Sequence, residues 1–514
     1  MAFANFFDKT AMAALQVLQG LDHASFIASL ESQVVGVAFD DSAVSSPEGR
    51  VTLDLTANLL ARLYPQLAFI PHGSQAKKYV ADLMALTRSI NPVIDSEAMA
   101  NKAGVILAVG ITSVQSNAPV IYMGSDGWIT KISSHGPVGS GFSTNPFGAS
   151  AAACFGTANV FRVLFGDYLV VGKTDENFTL SLLDYDPRSE APTNLPLKAV
   201  NIGESYLVGL GAVGNSAVWA LGRIPELSGA IHLIDHETIE LSNLQRYVLA
   251  FQDDIGKYKS ELSAKELRNT EIDLRQHPKK WGEYLREADR WQLERVAVAV
   301  DSSEDRQAVQ AALPKWIFNA WTQSEDLGVS RHHFVGDGAC LMCLYMPSEV
   351  SKHLDMIIAE AIGLPQAVLE VRQLLHANGP IGRDLLSRAA AAMEVPIVDL
   401  QSFENEPVRS FYNRAICGGV VLRLGGKIGG ASKHQMASVP LAFQSALAGI
   451  MLAAELVAHA GGLRAAAFPT TTKIDLLRPL GSHLSLHIKK HRSGFCICQD
   501  ADYINAYREK YDAS

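Results

Sequence analysis

Residues 204 to 235 read ESYLVGLGAVGNSAVWALGRIPELSGAIHLID. Glu204 to Leu210 forms a short apolar strand, and Gly209-Leu210-Gly211-Ala212-Val213-Gly214 forms a glycine turn. Val213 to Ile224 has the spacing of an amphipathic helix, and Ala230 to Asp235 forms a second strand. Strand, helix and strand within about 30 residues make a βαβ unit, which implies a parallel sheet. Glycines at 209, 211 and 214 let the backbone turn tightly and bring amide N–H groups up to a phosphate, at the positive end of the helix dipole. Asp235 follows Gly214 by 21 residues at the strand end, where a carboxylate accepts hydrogen bonds from ribose hydroxyls. The pair specifies a nucleotide without separating NAD from ATP, and a glycine turn with no ligand is the bland alternative.

Arg295 to Asp301 (RVAVAVD) and Trp316 to Trp321 supply further buried strands, so the fold class expected is α/β with a doubly wound sheet. Upstream, Pro187, Pro192 and Pro196 sit among Asn, Thr, Ser and Glu, a composition suited to a connector. Before it, Leu67 to Ile70 and Gly104 to Ile111 are strands and Ser74 to Ser89 is a helix. Pro146 opens PFGASAAACFGTANVFRVL and Pro440 opens PLAFQSALAGIMLAAELVA. Each puts a proline at a helix start, ahead of small residues that let helices pack closely. Two ordinary core helices or an old duplication account equally well for that echo. Between Pro347 and Arg423 the chain is helical, rich in Ala, Leu and Arg, and reads as an insertion.

The whole chain has 514 residues, about three domains at ~150 residues each. With 48% apolar and 19% charged residues it can bury large cores. Lys plus Arg total 44 against 53 for Asp plus Glu, a net charge of −9, which argues against nucleic acid as the main partner. The start carries Asp8 and no basic region, unlike a secretory signal. Val439 to Ala460 is interrupted by Pro440, Gln444 and Glu455, unlike a membrane span.

The run IDHETIELSNLQRYVLAFQDDIGKYKS places Asn243, Arg246 and Lys259 within 25 residues of Asp235. A hydride-transfer site has no need of so many polar and cationic groups. A triphosphate does, because its roughly four negative charges must be neutralised as pyrophosphate leaves. Asp301 ends a parallel strand, where such sheets bind ligands, and is placed to hold magnesium. The alternative is that it only caps the next helix. Cys340/Cys343 and Cys496/Cys498 together make a tetrahedral zinc site or, failing that, two unrelated buried pairs. Cys154 reads as a small core residue. Cys417 precedes Gly418 and Gly419, which leave room for a bulky acyl donor, and follows Arg414, which would favour its thiolate. It is a candidate nucleophile or a buried structural thiol.

Gly209 to Lys259, then Asp301 with Arg306, then Cys340-x-x-Cys343 resemble the ThiF/MoeB/HesA superfamily, which includes the ubiquitin-activating enzymes. The stretches LIDHETIELSNLQRY and DIGKYKS carry the likeness, which covers residues 200 to 345 and extends to 437 to 500. The resemblance implies that Asp235 binds ribose, that Asn243, Arg246 and Lys259 meet the phosphates of ATP, and that Asp301 binds magnesium. Tyr247 stands where many members have glutamine. It further implies adenylation of the C-terminal carboxylate of a ubiquitin-like protein, a thioester on an inserted cysteine such as Cys417, and transfer to a conjugating enzyme. Members often carry two Cys-x-x-Cys pairs for structural zinc; here the second pair is the tighter Cys-x-Cys. Two-part members keep a silent half as a pseudo-dimer partner and lend an arginine to the γ-phosphate, for which Arg62 and Arg162 are candidates. The nearest analogy is to bacterial fused activators, some linked to antiviral defence.

The expected organisation is a Rossmann-like adenylation domain over 201–346 and 431–514, with a degenerate adenylation-like domain over 1–186. A linker spans 187–200, and a helical, cysteine-bearing insertion spans 347–430. A cytoplasmic enzyme without nucleic-acid or membrane partners is expected. Adenylation of a sulfur carrier without an enzyme thioester is the alternative, an NAD-dependent oxidoreductase a more distant one, and a non-catalytic scaffold the third.

Overall fold

The computed structural model describes residues 3–288, 291–324, 326–346, 353–427, 439–464, 468–480 and 484–512. Two compact units divide the chain. One takes Met1–Ala4, Gln33–Met346 and Ala442–Ser514, and the other takes Asn5–Ser32 and Pro347–Leu441.

The larger unit holds two sheets. β1 (Val34–Asp40), β2 (Leu67–His72), β3 (Ala103–Val109), β4 (Val120–Asp126), β5 (Ile129–Ser133) and β6 (Asn177–Ser181) form the first, in the order β2-β1-β3-β4-β5-β6. β7 (Val200–Val208), β8 (Leu227–Ile234), β9 (Glu271–His277), β10 (Arg295–Val298), β11 (Trp316–Thr322), β12 (Leu327–His333), β13 (Thr471–Ile474) and β14 (Leu484–Leu486) form the second, in the order β14-β13-β12-β11-β10-β7-β8-β9. β2, β1, β3 and β4 run parallel before β5 and β6 reverse. β8, β7, β10 and β11 run parallel before β12 and β13 reverse. The two halves therefore share one strand order and the same two reversals, so that in each set of six the fifth strand alone runs against the rest, and β9 and β14 are added at the edges of the second. The architecture is Rossmann-like α/β. Strands such as β1, buried along its whole length, are continuous apolar runs because helices cover both faces.

Equivalent helices fill equivalent crossovers. α1 (Pro47–Leu60) lies between β1 and β2, α2 (Phe147–Phe165) between β5 and β6, α3 (Ala212–Leu221) between β7 and β8, and α4 (Ala442–Ala460) between β12 and β13. α2 packs on α1 and on its own sheet, α4 packs on α3 and on its own sheet, and α2 and α4 touch each other. Phe161 and Phe443 meet there with ring centroids 6.0 Å apart, a pairing worth about 0.5–1.5 kcal/mol beyond its area. A small residue also permits the close approach of α4 to α3: a Cβ on Gly449 would lie 2.2 Å from the Val213 carbonyl oxygen. α2 and α4 are long and apolar enough to cross a membrane, but their apolar windows are 89% and 94% buried against the sheets.

The smaller unit is helical, with Leu354–Ala361, Val368–His376 and Arg383–Ala392 among its elements. It also takes in the helices Phe7–Val17 and His23–Ser32. Asp8 pairs with Arg423 at 2.7 Å and Gln16 accepts the Val439 amide at 3.0 Å. The division thus differs from the expected one. Residues 5–32 leave the N-terminal domain because the apolar side of Phe7–Val17, with Phe7, Ala11, Met12 and Ala14, is buried within the helical unit. The insertion runs to Leu441, so the return to the sheet begins at Ala442.

Candidate active site

Gly209 leaves β7 with a φ of +88°, and a Cβ there would stand 2.7 Å from the Ala299 carbonyl oxygen. At Gly214 a Cβ would come 2.1 Å from the Gly209 carbonyl oxygen. Only glycine serves at either place. Gly211 is the N-cap of α3 and offers no side chain to its first amides, which leaves them available to an anion. The carboxylate of Asp235 accepts the Leu210 amide at 2.7 Å and the Glu237 amide at 2.8 Å. It therefore ties the glycine turn to the end of β8 while staying partly exposed.

The following segment folds back beside the turn. Asn243 is buried, and its Oδ1 accepts the Glu240 amide at 2.9 Å, so this side chain closes a local turn. Tyr247 brings the cations to the glycine turn. A Cβ on Gly211 would lie 3.4 Å from its hydroxyl, the Arg246 guanidinium sits 5.6 Å from its ring centroid, and Lys259 Nζ sits 5.3 Å from it. Arg246 also donates to Gln245 Oε1 at 3.3 Å. Lys259 is 4% exposed and pairs with Glu237. Burial works against its charge, but Tyr247, Asp235 and Glu237 outweigh it and hold the ammonium well above the ordinary lysine value.

Helix α1 of the other half and the turn that follows it fasten this segment. Arg62 donates Nε to Asn58 Oδ1 at 3.0 Å, Nη1 to the Leu244 carbonyl and Nη2 to the Ala250 carbonyl at 3.3 Å. Burial pulls its pKa down to about 9. From α3, Asn215 Oδ1 accepts the Leu249 amide at 2.8 Å. Of the two arginines put forward for the γ-phosphate, Arg62 lies against the segment but its guanidinium is engaged with backbone carbonyls. Arg162 is buried elsewhere, paired with Asp175, which also accepts the Leu480 amide at 2.8 Å. Neither Tyr247 nor Asn58 was singled out from sequence for this work; only proximity in space marks them.

Asp301 lies three residues beyond β10 and is exposed. Among the described residues its carboxylate has no hydrogen bond or ion pair. The next helix, Ser303–Ala311, is capped by Ser302, which accepts the Asp305 amide at 2.9 Å, so Asp301 is not spent as a cap. Arg306 shapes the turn by donating to the Asp301 carbonyl at 3.2 Å and to Asn319 Oδ1 at 3.0 Å. A single free carboxylate suits a magnesium ion that keeps most of its waters.

Cys340, Cys343, Cys496 and Cys498 are buried, and their sulfurs lie within 4.8 Å of one another. Sγ separations are 3.8 Å for Cys340–Cys343 and 3.5 Å for both Cys340–Cys496 and Cys343–Cys498. A tetrahedron with metal–sulfur bonds of ~2.3 Å has edges of about 3.8 Å, so the donor set fits a four-thiolate metal site. Cys154 is fully buried in α2, and burial pushes its thiol well above the usual range. Cys417, in the helical unit, is 5% exposed and follows a wide turn in which its amide reaches the Tyr412 carbonyl at 2.9 Å. Arg414 pairs with Glu406 and stacks 5.3 Å from the Phe403 ring centroid, so the expected help to a Cys417 thiolate is directed elsewhere.

At the corresponding strand ends of the first sheet, carboxylates replace glycines. Asp40 accepts amides from Ala43, Ile111 and Thr112 at 3.0, 2.7 and 2.8 Å. Asp41 accepts those of Ser74 and Ala76 at 3.2 and 2.8 Å.

A family model described as the ThiF family matches residues 197–496, and one described as prokaryotic E2 family C matches residues 38–166. An uncharacterised protein, y4jF of Sinorhizobium fredii (strain NBRC 101917 / NGR234), is 49% identical over 100% of this chain and 98% of its own length. Ubiquitin-activating enzyme E1 1 of Candida albicans (strain WO-1) is 40% identical over 75 residues, 14% of this chain and 7% of that protein. Among solved structures, E. coli MccB with MccA-N7isoASN aligns at a TM-score of 0.36 and 16% identity, covering 58% of this chain and 67% of that one. E. coli MccB with ATP aligns at 0.35 and 16%, covering 58% and 66%.

Proposed function

The chain belongs to the ThiF family, and from that premise we propose that it adenylates the C-terminal carboxylate of a ubiquitin-like protein at the expense of ATP, receives the acyl group on Cys417 as a thioester and passes it to a conjugating enzyme. The observation that carries the adenylation is the convergence of the uncapped α3 amides, Arg246 and Lys259 on one tyrosine ring beside Gly211.

The chemistry asks for few groups. A carboxylate is ionised at neutral pH and needs no general base. Its oxygen attacks the α-phosphorus, a new P–O bond forms, and the bond to pyrophosphate breaks. Asp235 orients the ribose from the strand end, the α3 amides receive phosphate oxygens, and Arg246 and Lys259 offset the growing charge on the leaving group. Asn243 and Arg62 hold the shape of the segment that carries Arg246. Asp301 would hold magnesium, which when bound neutralises phosphate oxygens. In the second step the thiolate of Cys417 attacks the acyl carbon and AMP departs. With Cys417 at 5% exposure, that step needs the helical unit to uncover it.

The N-terminal half fits a degenerate adenylation domain acting as pseudo-dimer partner. The shared strand order supports this, and so does the carboxylate of Asp40 on the Ala43 amide, in the turn after β1 that corresponds to the glycine turn after β7. The segment matched by the prokaryotic E2 model contains one thiol, Cys154, and it is wholly buried in α2. The conjugating enzyme is therefore read as a separate protein. Zinc in the four-thiolate site would be structural, since four thiolates leave no open position. Free thiols in that number suit a reducing cytoplasm.

A second reading, adenylation of a sulfur carrier without an enzyme thioester, is favoured by the burial of Cys417 and the engagement of Arg414 with Glu406. ATP–pyrophosphate exchange tests the shared step. Exchange that depends on a ubiquitin-like protein and vanishes in Asp301→Ala supports it, and exchange retained in that variant removes the metal role of Asp301.

A further inference from the structure

Glu237 stands two residues after Asp235. Its amide is held by Asp235 Oδ1 at 2.8 Å, and its carbonyl accepts the Lys259 amide at 3.0 Å. The neighbouring Thr238 bridges Tyr258 in antiparallel pairing. The backbone stretches carrying Glu237 and Lys259 are thus locked side by side. Lys259 begins a helix, Lys259–Glu266, and its side chain is 4% exposed. The Glu237 carboxylate accepts from Lys259 Nζ, yet 57% of that side chain is exposed. A buried ammonium on a fixed backbone is therefore met from the solvent side by a carboxylate that is free to swing away.

We propose that Glu237 is a built-in stand-in for a phosphate: the polyphosphate of ATP must displace its carboxylate to reach Lys259, and the carboxylate returns to Lys259 as pyrophosphate leaves. The inference rests on the adenylation reading and adds to it a residue that sets how tightly the site holds polyphosphate. Three physical points carry it. Lys259 cannot relocate, because helix start and burial fix it, whereas a half-exposed glutamate loses little when returned to water. The electrostatic gain from a polyphosphate exceeds that from one carboxylate, because charge on the ligand is greater at the same cation. A returning carboxylate also keeps Lys259 from being left as an uncompensated buried charge once the product has gone. The pairing is strong enough to register on Glu237: burial pushes its carboxyl up, and the Lys259 ammonium outweighs that and holds it below the usual range.

The test is isothermal titration calorimetry on the full chain with ATP, inorganic pyrophosphate and adenosine, comparing wild type with Glu237→Gln and Glu237→Ala. Both changes lie at a half-exposed side chain and keep the backbone bonds. The expected result is about fivefold tighter binding of ATP and of pyrophosphate in both variants, the order lost with one displaced surface-facing ion pair, and unchanged binding of adenosine. In carrier-dependent exchange the KM for ATP falls. Equal or weaker polyphosphate binding in both variants overturns the inference, and weaker adenosine binding assigns Glu237 to the nucleoside instead. A wild-type chain that binds no ATP removes the adenylation reading itself. A wild type that binds and exchanges, with variants no tighter, removes only the role of Glu237.

Discussion

The side-chain amide of Asn58 donates to the carbonyl of Val248 at 2.9 Å, across 190 residues of sequence. With Arg62 on the carbonyls of Leu244 and Ala250, it makes the N-terminal half the holder of the segment that bears Arg246. On the proposed function, that half would position the cation, with Arg62 acting through Arg246 rather than on the nucleotide. Asn58→Ala removes two buried bonds, the one to Val248 and the one accepted from Arg62 Nε, about 1 kcal/mol each, and should raise the KM for ATP roughly five- to thirtyfold with little change in kcat. Arg62→Ala should raise it further and lower the melting temperature, while Arg62→Lys recovers part of the KM. A loss confined to kcat, with KM untouched, would return Arg62 to the γ-phosphate.

Cys417→Ala should leave carrier-dependent pyrophosphate exchange intact and eliminate a reductant-sensitive adduct between the chain and its carrier. Non-reducing electrophoresis after incubation with ATP reads the adduct. An adduct that survives in Cys417→Ala moves the thioester to another thiol, and no adduct in the wild type favours the sulfur-carrier reading.

Metal analysis of the purified chain should find about one zinc per molecule, and Cys496→Ser should lose it. The thiols come from two stretches, Cys340/Cys343 and Cys496/Cys498, some 150 residues apart in sequence. Metal removal should therefore loosen the C-terminal helix Ala501–Asp512 from the second sheet, read as faster amide exchange there. A chain free of metal with unchanged exchange sinks this proposal.

His459 in α4 packs 4.5 Å from the Trp316 ring centroid and 5.1 Å from that of Phe318, and its Nδ1 accepts from Arg295 Nε at 3.2 Å. Burial first, and the Arg295 charge second, depress its pKa to about 4. A histidine held neutral in the fold contributes stability that is complete above its unfolded value near 6.5 and is lost as pH falls toward 4. The melting temperature should decline over that window, and His459→Gln should flatten the decline. A variant with the same slope as the wild type would clear His459 of this role.

The glycine turn, Asp235 and the strands flanking them were legible because their meaning is local: φ at Gly209 and one carboxylate a strand away suffice. The likeness of the Pro146 and Pro440 helices was visible as an echo, and the two occupy corresponding places, between β5 and β6 and between β12 and β13. β9, whose residues Glu271–His277 are only partly buried, and the short β14 carry no apolar run to announce them. The clamp from Arg62 to Leu244 spans 182 residues, and no periodicity records such a contact. Residues 5–32 look like any amphipathic hairpin, and the spacing of Phe7 and Met12 does not say which core will take them. Tyr247 was noticed only as a departure, since an aromatic ring beside two cations is a fact of space rather than of order.

Two copies of one strand order on a single polypeptide, sealed where α2 meets α4, have a consequence for evolution and for the test tube alike. On the proposed pseudo-dimer reading, a partnership written into covalent continuity cannot be diluted away, so specific activity should not decline as enzyme is titrated to nanomolar levels. Freed from having to assemble, one copy can drift while the other stays under selection.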